Sequence, residues 1–237
     1  MNVAKLGSYR WNAVADQSEL HQAALRIILD NATMSIQQRG KFHFVLSGGD
    51  TPRGVYQQLR SIRADWSSWH IYFSDERCLL PNDPNLNFRM AGEAWLDHVP
   101  IPGNQLYKIP IELGAGRAAC EYAQTLRSVG IFDLTFLGLG EDGHTASLFP
   151  GHEWGAAPDS PDALAVFDAP KPPLHRVSMS AARLNRSRQV VFLVSGESKH
   201  MVVAKWRKDE NIPARAIMPK AGADVLLESS LLVPLFV

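Results

Sequence analysis

Four short apolar runs, each ending in a polar or glycine-rich loop, constrain this chain more than anything else in it. They are FHFVL (42–46) leading into SGGDTPRG, HIYF (70–73) into SDER, FDLTFL (132–137) into GLGEDGHT, and QVVFLV (189–194) into SGESK. Runs of this length, bounded by glycine and rich in aromatic and branched residues, read as strands. Helical patterns follow them, directly or after a turn. Strands that alternate with helices argue for a largely parallel sheet covered on both faces.

The helical patterns are clear in several places. Over residues 16–38, Leu20, Ala23, Ala24, Ile27 and Ile28 form one stripe, Asp16 with Glu19 resembles a capping box, and Gly40 is a stop. VYQQLRSI after Pro52, the stretch through Phe88 to Trp95, residues 115–128 and the stretch through Met201 to Trp206 continue the pattern. HRVSMS (175–180) alternates as a further strand, and residues 214–218 and 225–228 read as short final strands. Residues 152–173 are irregular and proline-rich, and read as a long exposed loop. The C-terminal LLVPLFV (231–237) reads as a buried tail or strand. The expected fold is a Rossmann-like, doubly wound, mainly parallel α/β sheet with helices on both faces, forming a single domain over 1–237. In such sheets ligands bind outside the carboxyl ends of the strands. The topology would therefore gather segments 47–54, 74–77, 138–147 and 195–199 along one edge.

Composition narrows the partners. Lys+Arg and Asp+Glu number 24 each, so no global field draws the chain to nucleic acid or to an anionic membrane. An anionic ligand must be held by a local site. Cys78 and Cys120 lie far apart, with no metal-like spacing, as expected of reduced thiols in a cytoplasmic protein. The N-terminus lacks the apolar core of a signal peptide, and no apolar stretch is long enough to span a bilayer.

The loops carry the chemistry. SGGDTP (47–52) is a phosphate-cradle pattern: consecutive glycines turn N–H groups inward and the next helix adds its positive end. Thr51 adds a hydroxyl donor. The pattern is neither a Walker A motif nor a dinucleotide fingerprint, and a plain tight turn fits it equally. SDER (74–77) places Asp75, Glu76 and Arg77 at a strand end, where Arg77 suits bidentate phosphate binding and a surface ion pair is the plainer reading. SGESK ends in Lys199, which an ordinary turn would leave solvated. Arg176 and Arg183 flank a strand and a helix start and read equally well as solvated. The strongest segment is EDGHTASLFP (141–150). Asp142 and His144 flank a glycine, so the backbone can bend to aim both side chains at one point. Histidine titrates near neutrality and suits a general base, and a carboxylate beside it orients it. A lone histidine with no second at ligand spacing gives no support for a metal.

With these residues in view, the chain resembles the 6-phosphogluconolactonases, the lactone hydrolases of the pentose phosphate pathway, within the glucosamine-6-phosphate deaminase and ribose-5-phosphate isomerase fold group. The carrying segments are VLSGGDTPRGVYQQL (45–59), YFSDERCLLPNDPNLNFRM (72–90), FDLTFLGLGEDGHTASLFPG (132–151) and VFLVSGESKHMVV (191–203). The resemblance implies hydrolysis of a sugar phosphate lactone with no required cofactor. It implies that His144 activates water with Asp142 near it. Gly48, Gly49, Thr51, Asp75, Arg77, Arg176 and Lys199 would bind phosphate or sugar. The glycine turn departs from its relatives, reading GGDTP where GGSTP is commoner. An acid at Asp50 repels phosphate, so Asp50 points away or the turn offers only its N–H groups.

Two other functions belong to the same fold group. The deaminases read Asp-Glu-Tyr where this chain has Asp75, Glu76 and Arg77, and DGHIAFNEP where it has DGHTASLFP. Their glutamate works with the histidine, and Phe149 stands in its place here. Phenylalanine cannot relay a proton, which favours the lactonase. A non-catalytic sugar-phosphate sensor would usually carry a DNA-binding helix-turn-helix, and neither such a segment nor a basic face is seen.

Overall fold

The computed structural model describes residues 8–233. In chain order its strands and helices are β1 (Tyr9–Val14), α1 (Gln17–Arg39), β2 (Phe42–Leu46), α2 (Asp50–Gln58), β3 (Trp69–Phe73), β4 (Asp75–Arg77) and α3 (Asn87–Ala94). There follow β5 (Leu106–Tyr107), α4 (Ala115–Arg127), β6 (Phe132–Leu137), β7 (Ala163–Val166) and β8 (Arg176–Met179). The chain continues through α5 (Ala181–Leu184), β9 (Ser187–Val194), α6 (His200–Arg207) and β10 (Ala223–Glu228).

Seven strands form one sheet in the order β1-β10-β9-β6-β2-β3-β5, and every pair in it is parallel. All six residues of β6 are buried, so both faces of the central strand are covered. The expected doubly wound sheet is present. Its strand order reverses between β2 and β6. The chain leaves β2 toward β3 on one side and leaves β6 toward β9 on the other. Such a switch point opens a crevice at the carboxyl ends.

Local chemistry explains the elements. The Asp16 carboxylate accepts the Glu19 N–H at 2.9 Å, and Gly40 closes α1 in the left-handed region at φ 72°. A cap of this kind stabilises a helix by about 1 kcal/mol. Aromatic rings fill the core beside β3, where Trp69 packs on Phe42, Trp66 and Trp95 at 4.9, 4.8 and 5.8 Å between centroids.

Four departures from the sequence reading have physical causes. SDER is not a loop after the strand: residues 75–77 form β4, in a second, antiparallel sheet of order β4-β8-β7. The segment 152–173 contains β7, a half-buried outer strand of that sheet paired antiparallel with β8. Residues 213–216 form a 3₁₀ turn rather than a strand, because Pro213 lacks an N–H and presets a helical φ. The edge strand β1 gave no apolar run because half of it faces out. The Arg10 Nε to Asp224 Oδ1 contact at 2.7 Å fastens it to β10. Residues 234–237 of the expected C-terminal tail, and residues 1–7, lie outside the described residues. No helix among the described residues is long and apolar enough to cross a membrane.

Candidate active site

The loops after β2 and β6 meet at the switch point. The Gly138 N–H donates to Ser47 Oγ at 3.2 Å, and the Thr145 hydroxyl donates to the Gly138 carbonyl at 2.8 Å. A cavity of about 620 Å³ opens there. Its walls include Gly48, Gly49, Thr51, Asp75, Arg77, His144, Arg176 and Lys199, so all four strand-end segments converge as the topology requires.

The glycine turn is shaped by what it must approach. Gly49 takes φ 108° as the residue before α2, a conformation side chains disfavour. A Cβ on Gly48 would fall 2.0 Å from the Asn87 amide oxygen. The Tyr56 hydroxyl accepts the Ser47 N–H at 3.0 Å and donates to the Ser47 carbonyl at 3.1 Å, clamping the turn to α2. Asp50 is exposed in the first turn of α2 and also lines the cavity.

Asp142 and His144 form a tight pair. Asp142 Oδ1 lies 2.5 Å from His144 Nδ1 and accepts the His144 backbone N–H at 3.1 Å. Burial works to raise the Asp142 pKa, but the hydrogen bonds from the His144 ring and backbone outweigh it and hold the carboxyl at about 2. An ionised carboxylate only accepts, so Nδ1 carries the proton and Nε2 is left with its lone pair. Asp142 is not part of the cavity wall; it stands behind His144. Ala146, two residues on, sits at φ 49°, a strained conformation of the kind found at functional loops.

Arg77 and Arg176 face each other in register across β4 and β8. Burial lowers the Arg176 pKa, Asp75 raises it and Arg77 lowers it. Arg176 is not solvated: it donates to the carbonyls of Pro173 at 3.1 Å and Lys171 at 2.9 Å. Arg183 is wholly buried, its guanidinium 3.7 Å from the centre of the Phe132 ring. Nor do Asp75 and Glu76 make a surface ion pair, because both are buried. Asp75 accepts from the Ser147 hydroxyl at 2.7 Å and the Asn87 amide at 3.3 Å. Glu76 accepts the N–H groups of Arg77, Asn87 and Phe88, and so caps α3 from the neighbouring sheet.

Several wall residues were not singled out from the sequence. Lys171, from the proline-rich segment, Asn87, Ser198 and Glu228 all line the cavity. Ser198 lies in the strand-end loop beside Lys199 and Asn87 in the segment 72–90, so their surroundings carried the signal, whereas nothing local marks Lys171 or Glu228. Among the described residues no three His, Cys, Asp or Glu side chains gather as a metal would require.

A family model described as glucosamine-6-phosphate isomerases/6-phosphogluconolactonase matches residues 15–226. The chain belongs to that family. It is 32% identical to a 6-phosphogluconolactonase of Nostoc over 91% of this chain and 93% of the relative. The crystal structure of a 6-phosphogluconolactonase from Thermotoga maritima superposes with a TM-score of 0.86 at 26% identity, covering 94% of this chain and 100% of that one. A monomeric glucosamine-6-phosphate deaminase, 21% identical, shares the fold with a TM-score of 0.78 over 95% of this chain and 98% of its own. The fold is thus common to lactonase and deaminase, and the side chains of the cavity must separate them.

Proposed function

We propose that this chain is a 6-phosphogluconolactonase, hydrolysing 6-phospho-D-glucono-1,5-lactone to 6-phospho-D-gluconate in the oxidative branch of the pentose phosphate pathway. The observation that carries the reading is the 2.5 Å contact between His144 Nδ1 and Asp142, on the wall of a cavity that Arg77, Arg176 and Lys199 also line. A base with its lone pair held in place and a set of cations share one chamber. The Phe149 side chain, where the deaminases place glutamate, supports the lactonase over the deaminase.

Neutral His144 takes a proton from water through Nε2 as the water attacks C1 of the lactone. Asp142 stabilises the imidazolium that forms. The oxyanion is stabilised by a nearby cation or by loop N–H groups other than those of Gly138, Gly140 and Gly143, which are already engaged at 3.2, 2.8 and 3.0 Å. His144 then returns the proton to the ring oxygen as the C1–O bond breaks. The phosphate, near-dianionic at pH 7, is held by Gly48, Gly49, Thr51, Arg77, Arg176 and Lys199. Its binding energy fixes C1 against the base. Asp75, held by Ser147 and Asn87, contacts the sugar. The reaction needs no cofactor, and the whole chain acts as a single domain. A cytoplasmic location goes with the reading, supported by two unpaired cysteines.

One assay tests the proposal. Lactone opening is followed with the spontaneous rate subtracted, on phosphorylated and non-phosphorylated substrates. The expected result is turnover that prefers the phosphorylated lactone and falls about 10²–10⁴-fold in His144→Ala. Wild-type turnover in that variant would remove His144 from the mechanism. Equal use of the two lactones would remove the phosphate site.

A further inference from the structure

We propose that Phe149 is the positioning residue for His144, and that its ring joins the histidine loop to the hairpin carrying Arg176. The inference rests on the lactonase reading. A hydrogen bond from Nδ1 to Asp142 fixes the direction of one bond of the imidazole. Rotation about Cβ–Cγ breaks that bond, releases the tautomer and carries Nε2 away from its line of attack. A contact against the ring is needed to fix its plane.

Phe149 supplies that contact. Its ring centroid lies 4.8 Å from that of His144. The Arg176 guanidinium stands over the same ring at 5.4 Å, and His152 meets it at 5.9 Å. Phe149 is itself held. It is buried in a small apolar group with Val166 and Ala169, separate from the main core. Its carbonyl accepts the Trp154 indole N–H at 2.6 Å. Val166 ends β7, and Ala169 lies in the turn toward β8. The hairpin that carries Arg176 therefore leans on the residue that braces His144. Arg176 in turn bonds the carbonyls of that turn, at Lys171 and Pro173. Base and phosphate-binding cation are set relative to each other through one aromatic side chain. A residue that in the deaminases works with the histidine chemically acts here by contact alone.

The test compares wild type, Phe149→Leu and Phe149→Tyr. Steady-state kinetics on the phosphorylated lactone is paired with ¹⁵N NMR of the His144 ring without substrate. In Phe149→Leu, kcat is expected to fall about 10–100-fold, as loss of alignment at a reacting centre does. The His144 signals should move from a single Nδ1–H tautomer toward a mixture. Phe149→Tyr, which keeps the ring, should restore both. Full kcat in Phe149→Leu, or a fall in kcat with the His144 signals unchanged, would overturn the proposal. Phe149→Met replaces the leucine variant if that protein does not fold. If wild type shows no lactonase activity, the lactonase reading fails, and the NMR comparison still decides whether Phe149 orients His144.

Discussion

Arg176 stands directly opposite Arg77 in an antiparallel strand pair. Like charges in that position destabilise a sheet, by up to about 1 kcal/mol. The pair makes sense as a site that waits for an anion. Arg77→Met is therefore expected to raise KM for the phosphorylated lactone at least tenfold. It should leave the thermal midpoint of the ligand-free protein unchanged or slightly higher. Inorganic phosphate should raise the midpoint of wild type by mass action and do so less in the variant. A variant destabilised without ligand, with KM unchanged, would show that Arg77 serves the fold and not the anion.

Asp142→Asn tests the tautomer. An amide can donate to Nδ1 as easily as accept from it, so the lone pair of His144 need no longer sit on Nε2. Turnover should fall by about 10² or more, within the range of a lost acid–base function. The pH dependence of stability has a defined sign. The Asp142 carboxyl is held at about 2 in the folded chain, below the value of about 3.9 expected when unfolded. Its contribution is therefore complete above roughly pH 4 and is lost as pH falls toward 2. Urea unfolding between pH 2 and 6 should show wild type losing stability, relative to Asp142→Asn, only at the acid end.

Much of this site was legible because it sits where strands end. The runs 42–46 and 132–137 are strands with the bounds that their apolar residues mark. Knowing where they end places the glycine turn and His144. What stayed hidden depends on a second sheet. Residues 75–77 look like an exposed polar strand end because acids and arginine dominate them, yet Asp75 and Glu76 are buried against Ser147, Asn87 and the start of α3, and Arg77 pairs in register with Arg176. Lys171 reads as a proline-rich surface segment, because nothing local shows that β7 and β8 fold it back over the cavity. The contact of Phe149 with His144 was equally invisible, since sequence shows what phenylalanine cannot do and not what it touches.

Glu76 links stability to pH near neutrality. Burial raises its pKa to about 7, against the three backbone N–H groups that lower it, while Asp75 adds to the rise. The unfolded carboxyl titrates near 4.3. Between those values the folded chain holds the extra proton, so stability falls as pH rises from about 4 to 7 and then levels off. Glu76→Gln removes the charge but keeps only one accepting oxygen, so the amide NH2 replaces the oxygen that takes the Phe88 N–H. It should flatten that slope while lowering stability at every pH by the lost cap bond. Unfolding free energies across pH 4–8 read this directly. An unchanged slope would assign the pH dependence to other groups.

Two glycines of the histidine loop should respond in opposite ways to the same added methyl group. A Cβ on Gly140 would lie 2.0 Å from His144 Nδ1 and 2.7 Å from Asp142 Oδ1, inside the pair itself. A Cβ on Gly138 would meet nothing nearer than Ser47 Oγ at 3.6 Å, an ordinary contact. Gly140→Ala must push the imidazole off its carboxylate, and a misplaced base costs on the order of 10²-fold in rate. Gly138→Ala should retain activity within a few-fold and melt close to wild type. Because the two positions lie in one loop after one strand, a general sensitivity of the loop would affect both alike. A large loss in Gly140→Ala beside near-normal turnover in Gly138→Ala therefore assigns the effect to the Asp142–His144 contact, and equal losses would deny it.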